Sequence, residues 1–180
     1  MKPGYTIKNK MTKITSPDIL IQQLSDKLPP FLANKQITNP VMVGIHTGGV
    51  WVAEQLHRNL KIEEPLATLN ISFYRDDFSR IGVHPQVTPS TLPSEIEDRH
   101  IILVDDVLQT GRTIRAAMNE LFDYGRPASI TLVCLVERDG HELPIRADIV
   151  GQQLDLQNKE QIKLTGPEPL AFEIKQVDVL

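Results

Sequence analysis

Ile101-Ile-Leu-Val-Asp-Asp-Val-Leu-Gln-Thr-Gly-Arg-Thr113 is the stretch from which the fold can be read. Ile101 to Val104 are all large and apolar and three of the four are β-branched, which suits a strand buried on both faces of a parallel sheet. Asp105 and Asp106 mark its exit. Beyond Thr113, Ile114, Ala117, Met118, Leu121 and Phe122 recur at helical spacing, and Gly125 and Pro127 stop the helix. The unit is strand, polar loop, helix, and it predicts an α/β domain.

Ligands of open α/β sheets bind beyond the carboxyl ends of the strands, where this acid pair falls. Thr110, Gly111, Arg112 and Thr113 precede the helix, whose free N–H groups and positive dipole end favour a phosphate. Gly111 permits close backbone approach, and the two hydroxyls add donors. A ligand that is both polyol and phosphate ester fits this combination. Taken alone, paired acids after a strand are often a solvated turn; the adjoining phosphate cradle is what favours a site.

A second copy of the design lies upstream. Val41 to Ile45 is a short apolar strand, His46-Thr-Gly-Gly49 a loop, and Val50, Ala53, Leu56 and Leu60 the inner stripe of a helix. Adjacent glycines let backbone N–H groups converge, as a pyrophosphate site needs. His46 is expected to support the loop and His57 to lie on the surface. Ser16-Pro17 predicts a helix start, and Leu20, Leu24 and Leu28 continue the stripe to about residue 32, where Pro29-Pro30 should break or kink it. Leu66 to Phe73 alternates as a strand. Tyr74 to Asp98 is a long Pro-containing loop, a length that in a compact domain marks function or disorder. Ser129 to Val136 is another apolar strand, Val150 to Leu154 closes the sheet, and Gln161 to Leu164 is the last strand candidate. The tail beyond it offers no pattern.

The composition excludes several classes. With 19 Lys and Arg against 23 Asp and Glu, the net charge is −4, so no global field draws the chain to nucleic acid or anionic membrane. The 180 residues fit one domain, with 1–15 loosely held. There is no signal-like apolar core and no run long enough to span a bilayer, so no membrane partner and a cytoplasmic location are expected. The lone Cys134 cannot form an internal disulfide and falls in an apolar strand, as a core residue would. Neither a P-loop nor a dinucleotide-binding glycine fingerprint occurs. A receiver-type acidic pocket would use the two Asp residues but leaves the phosphate cradle unexplained.

Ile101 to Thr113 resembles the phosphoribosyl pyrophosphate (PRPP) motif of type I phosphoribosyltransferases. Wider similarity is to the PyrR family, pyrimidine-operon attenuation proteins that are also uracil phosphoribosyltransferases. It is carried by Phe73-Tyr-Arg-Asp-Asp77, Val104 to Ala117, Gly125-Arg-Pro127 and Glu142-Leu-Pro-Ile-Arg-Ala-Asp148. The resemblance implies an α/β fold of the type I phosphoribosyltransferase kind: a mainly parallel sheet flanked by helices, with a small hood and a flexible lid loop. It implies PRPP, uracil and UMP as ligands and Mg²⁺ as cofactor, held by Asp105 and Asp106 through substrate or water. Those two acids would be catalytic. Val104, Val107, Leu108, Gln109, Thr110, Gly111, Arg112 and Thr113 would form the PRPP motif. Thr47, Gly48 and Gly49 would be the pyrophosphate loop, where relatives commonly carry Thr-Arg-Gly. Arg75 and Arg80 would belong to the lid, and Arg138, Leu143, Pro144 and Ile145 to base recognition. A homo-oligomer is implied as well.

RNA separates the two functions of that family. Its first helix usually carries Arg and His linked to RNA, whereas this chain offers Asp18, Gln22, Gln23, Asp26 and Lys27. Relatives often have Asp-Arg-Gly-His-Arg before Glu-Leu-Pro, and here Asp139, Gly140 and His141 differ. The expectation is therefore an enzyme with weakened RNA binding. The alternative is a UMP-sensing RNA attenuator with little catalysis.

Overall fold

The computed structural model describes residues 13–71, 89–93, 96–156 and 160–176. Three strands form its centre because their side chains are apolar on both faces. β1 (Val41–Ile45) is buried throughout, and β3 (His100–Leu108) and β4 (Ser129–Arg138) are buried over most of their length. They pair in parallel, and β2 (Ala67–Leu69) and β5 (Ile149–Leu154) add parallel edges to give the order β2-β1-β3-β4-β5. All carboxyl ends therefore lie on one side.

Helices cover both faces. α1 (Pro17–Asn34) and α2 (Gly48–Leu60) supply Leu20, Leu24, Leu28, Val52 and Leu56 to one apolar layer, against Met42, Ile102, Val104, Val133 and Leu135 of the sheet. α3 (Arg112–Asp123) supplies Ile114, Ala117 and Leu121 to the opposite layer, against Val43, Ile101, Leu103, Leu132 and Cys134. β6 (Glu160–Thr165) and β7 (Ala171–Gln176) form a separate antiparallel pair, and Ile162, Leu164 and Leu170 join it to the first layer.

The period of two slips beside the acid pair. Val104 and Val107 pack on the first layer and Leu108 on the second; on the neighbouring strand, Leu135 and Val136 both meet the first. The phase change sets where the last residues of β4 project. Arg138 reaches β6, where its Nη1 donates to the Glu160 carbonyl at 2.7 Å. Glu137 turns instead toward Gln153 on β5, its partner in register.

α1 departs from expectation: it continues through Pro29 and Pro30 to Asn34. Those prolines remove the donors to the Ser25 and Asp26 carbonyls, a cost of about 3 kcal/mol each. Burying Leu20, Leu24 and Leu28 stabilises by about 1.5–3 kcal/mol each and offsets much of it. Ser16 and Pro17 do start the helix, in extended and first-turn positions, but the Ser16 hydroxyl makes no cap bond. β2 is shorter than expected, and beyond Ile71 the predicted strand leaves the described residues. Residues 13–15 lie along β5: Thr15 N donates to Gln152 Oε1 at 2.9 Å, and Gln152 Nε2 donates to the Lys13 carbonyl at 2.8 Å. On the opposite edge, Thr91 bridges Thr68 in antiparallel fashion. Each edge strand thus has a local partner, at Gln152 on β5 and at Thr68 on β2.

Candidate active site

Asp105 and Asp106 lie near the carboxyl end of β3, where the sheet's central position brings two loops together. Asp105 is buried and Asp106 half-buried, and Asp105 Oδ1 accepts the Asp106 N–H at 3.0 Å. The β1 loop presses against them. A Cβ on Gly48 would collide with the Asp106 carboxylate, and one on Gly49 would lie 2.6 Å from the Val104 carbonyl oxygen and 3.0 Å from Asp105 Cα. Glycine is required here by closeness. The His46–Thr47 peptide of this loop is cis.

The β3 loop is built differently. Gly111 has φ +88°, and its Cβ position would lie 3.3 Å from the Cβ atoms of Leu143 and Ile145. Thr110 Oγ1 accepts the Arg112 N–H at 3.2 Å, while the Thr110 carbonyl accepts N–H groups of Glu142 at 3.1 Å and Leu143 at 3.0 Å. Arg112 Nε donates to Glu142 Oε2 at 2.7 Å. The Leu143-Pro144-Ile145 segment is therefore stitched onto the phosphate loop. Thr47 and Gly111 precede α2 and α3, and neither helix has a side-chain cap bond. Two helix N-termini thus offer N–H groups to anions around one acid pair.

The other expected site residues divide by role. Val104, Val107 and Leu108 pack into the apolar layers and hold the loop. Gln109 sets its amide nitrogen 3.4 Å from the Cβ position of Gly140. Arg138 is only 6 % exposed, and its guanidinium is engaged with β6. Arg75 and Arg80 lie outside the described residues. His57 is half-buried, with Nε2 2.7 Å from the Glu64 carbonyl. His46 Nε2 is buried without a partner among the described residues, and burial lowers its pKa below 6.5 against a smaller opposing effect of Glu54. Burial, then the charges of Asp105, Glu137 and Asp106, push the Cys134 thiol well up, so it stays protonated and inert.

A cavity of about 350 Å³ opens beyond β4 and β5, between Glu137, His141, Arg146 and Gln153, with Arg138 and Leu154 also lining it. Motif reading missed it, because its walls come from two strand ends that are distant in sequence. The signal was an acid at the carboxyl end of β4, matching the position of the acids on β3.

An acid pair and two helix starts without side-chain caps, gathered at the carboxyl ends of a parallel sheet, are the arrangement expected of a phosphoribosyltransferase. The Phosphoribosyl transferase domain family matches residues 19–169. The chain is 61 % identical over 163 residues to the Bifunctional protein PyrR of Nitrosococcus oceani, covering 89 % of this chain and 92 % of that one. It is 59 % identical over 162 residues to the protein of the same name from Pseudomonas paraeruginosa, covering 90 % and 95 %. A purine phosphoribosyltransferase from Pyrococcus horikoshii superposes with a TM-score of 0.57 at 25 % identity, covering 76 % and 82 %. The chain belongs to the PyrR family of type I phosphoribosyltransferases.

Proposed function

We propose that this chain transfers the phosphoribosyl group of PRPP to uracil, forming UMP and pyrophosphate. The observation that carries the reading is the contact of the Thr47-Gly48-Gly49 loop with Asp105 and Asp106, beside the second phosphate loop. Uracil N1 attacks C1′ as the bond to pyrophosphate breaks, and the N1 proton leaves to solvent water. Positive charge then builds on the sugar and negative charge on the leaving group, so stabilisation must act on both. Asp105 and Asp106 accept from the ribose hydroxyls and face the cationic ring. Thr110 to Thr113 and the start of α3 hold the 5′-phosphate, and the start of α2 receives the pyrophosphate.

Among the described residues no three His, Cys, Asp or Glu side chains form a metal cage. Two adjacent carboxylates nevertheless fit Mg²⁺ that arrives with a diphosphate and keeps its waters. When bound, the ion neutralises charge on the leaving group. Asp105 and Asp106 would hold it through substrate oxygens or water.

For RNA, the exposed face of α1 carries Asp18, Gln22, Gln23 and Asp26, and Lys27 Nζ donates to the Val150 carbonyl at 2.8 Å. This supports weak RNA binding. The second reading is a UMP-sensing RNA attenuator with little catalysis; the word "Bifunctional" in the relatives' name supports two activities in those proteins.

The deciding experiment incubates protein, PRPP and Mg²⁺ with uracil, hypoxanthine, guanine or orotate. UMP from uracil is expected, and product from another base alone would sink the assignment. Tight, UMP-dependent mobility shifts of a pyrimidine leader RNA would overturn the weakened RNA binding and leave the catalytic assignment to the base panel.

A further inference from the structure

We propose that Glu137, together with Gln153 and His141, reads the imide edge of the pyrimidine in the cavity beyond β4 and β5. The inference rests on the uracil reading above and assigns its base specificity to side chains. Glu137 is 6 % exposed yet lines the cavity. His141 Nε2 lies 3.1 Å from its Oε1, and Gln153 Nε2 donates to its Oε2 at 3.3 Å. A carboxylate has about four lone-pair positions, so two protein donors leave it able to accept from a ligand N–H. An imide presents one N–H between two carbonyls. Glu137 supplies the acceptor, held in place by His141, while the second amide N–H of Gln153 and further guanidinium N–H groups of Arg146 line the same space as donors.

Position supports the assignment. Glu137 pairs in register with Leu108, two residues beyond Asp106 on the adjacent strand. Strand spacing puts their Cα atoms about 8 Å apart, a span that a ribose on the acid pair and its attached base can bridge. Cys134 pairs in register with Asp105, and Glu137 follows it three residues later on the same strand. The segment from Gly140 to Arg146 contacts both regions: Gly140 lies against Gln109, Glu142 and Leu143 donate to the Thr110 carbonyl, and His141 and Arg146 line the cavity. A volume of about 350 Å³ lies within the small-molecule range.

Glu137→Gln replaces an acceptor with an amide that can also donate. Uracil has N–H at position 3, whereas cytosine has a bare acceptor nitrogen, so the variant should exchange preference between them. The expected result is a rise of about tenfold in KM for uracil, a fall of similar size in the uracil-to-cytosine ratio of kcat/KM, and an unchanged KM for PRPP. General structural damage would not move that ratio. Gln153→Leu, at an exposed position, provides a second variant should Glu137→Gln fail to fold; it should raise KM for uracil about threefold with PRPP unaffected. Unchanged uracil parameters in a folded variant, or equal changes for uracil and PRPP with the base ratio fixed, would overturn the assignment. Wild-type protein that makes no UMP from uracil would overturn the proposed function itself and this inference with it.

Discussion

The β1 and β3 loops do similar work with glycines required for different reasons. Both follow a buried strand and open a helix with no side-chain cap. In the β1 loop, Gly48 and Gly49 exist because another part of the molecule occupies the space of a side chain. In the β3 loop, Gly111 exists because its backbone is left-handed at φ +88°. One is a constraint of tertiary contact and the other chiefly of local conformation. Damage to the first should therefore appear in activity, and damage to the second in activity and stability together.

The acid pair that the β1 loop touches gives the largest expected effect. Asp106→Asn keeps the shape but removes charge facing the cationic sugar, so kcat/KM should fall about 10²–10³-fold in a steady-state assay, with little change in melting temperature. Retained turnover would show that the contact with Gly48 is only packing. Gly48→Ala and Gly111→Ala then test the contrast directly. The former forces the Asp106 carboxylate aside and should cut kcat/KM about tenfold or more, while the clash offsets the gain of about 0.5 kcal/mol that Gly→Ala brings at an unstrained site, so the melting temperature should change little. The latter adds left-handed strain of about 1–2 kcal/mol and should lower the melting temperature by about 2–6 °C as well as weaken PRPP binding. Calorimetry and kinetics on both variants separate the two constraints; identical profiles would erase the distinction.

A smaller effect belongs to the ion pair on the β3 loop. Arg112 and Glu142 meet at 2.7 Å, but both side chains are about half exposed, 52 % and 53 %. Water and salt screen such pairs, so Glu142→Gln should cost no more than about 1 kcal/mol of stability. Because Arg112 then loses an orienting partner, KM for PRPP should rise about threefold. That rise should shrink at high ionic strength, where the wild-type pair is itself screened.

Both loops were legible because their signals are local: an apolar run, acids or glycines at its end, then helical spacing. The same holds for β1, β3, β4 and the three helices. What escaped depended on residues distant in sequence. β7 alternates only over Phe172-Glu-Ile-Lys175, and of the two apolar residues only Phe172 is half-buried, so the signal in 171–176 is too short to mark a strand until it is paired with β6. Pro29 and Pro30 read as a break because the opposing term is burial against the sheet, which local propensity does not contain. Glu137 and Gln153 are neighbours only through β4–β5 register. Leu143-Pro144-Ile145 could be recognised by resemblance, but its seat on Gly111 could not be deduced from its own residues.

The smallest expected effect is a pH dependence confined to the β1 loop. Burial lowers the pKa of His46 below its ordinary 6.5, only partly countered by Glu54, so the fold favours the neutral ring. The unfolded chain binds this proton more readily than the native protein in the window below 6.5. Stability contributed by His46 is therefore fully present above pH 6.5 and is lost as pH falls through that value toward the lowered one. Denaturant titrations between pH 7.5 and pH 5.5 should show a decline in stability that is shallower in His46→Gln, which cannot take up the proton. The β3 loop has no histidine in 109–113, so in the reverse reaction KM for UMP, whose 5′-phosphate that loop holds, should respond less to this protonation than KM for pyrophosphate. Equal slopes for wild type and His46→Gln would place the acid sensitivity elsewhere, while equal shifts in both KM values would mean that the two loops respond as one unit.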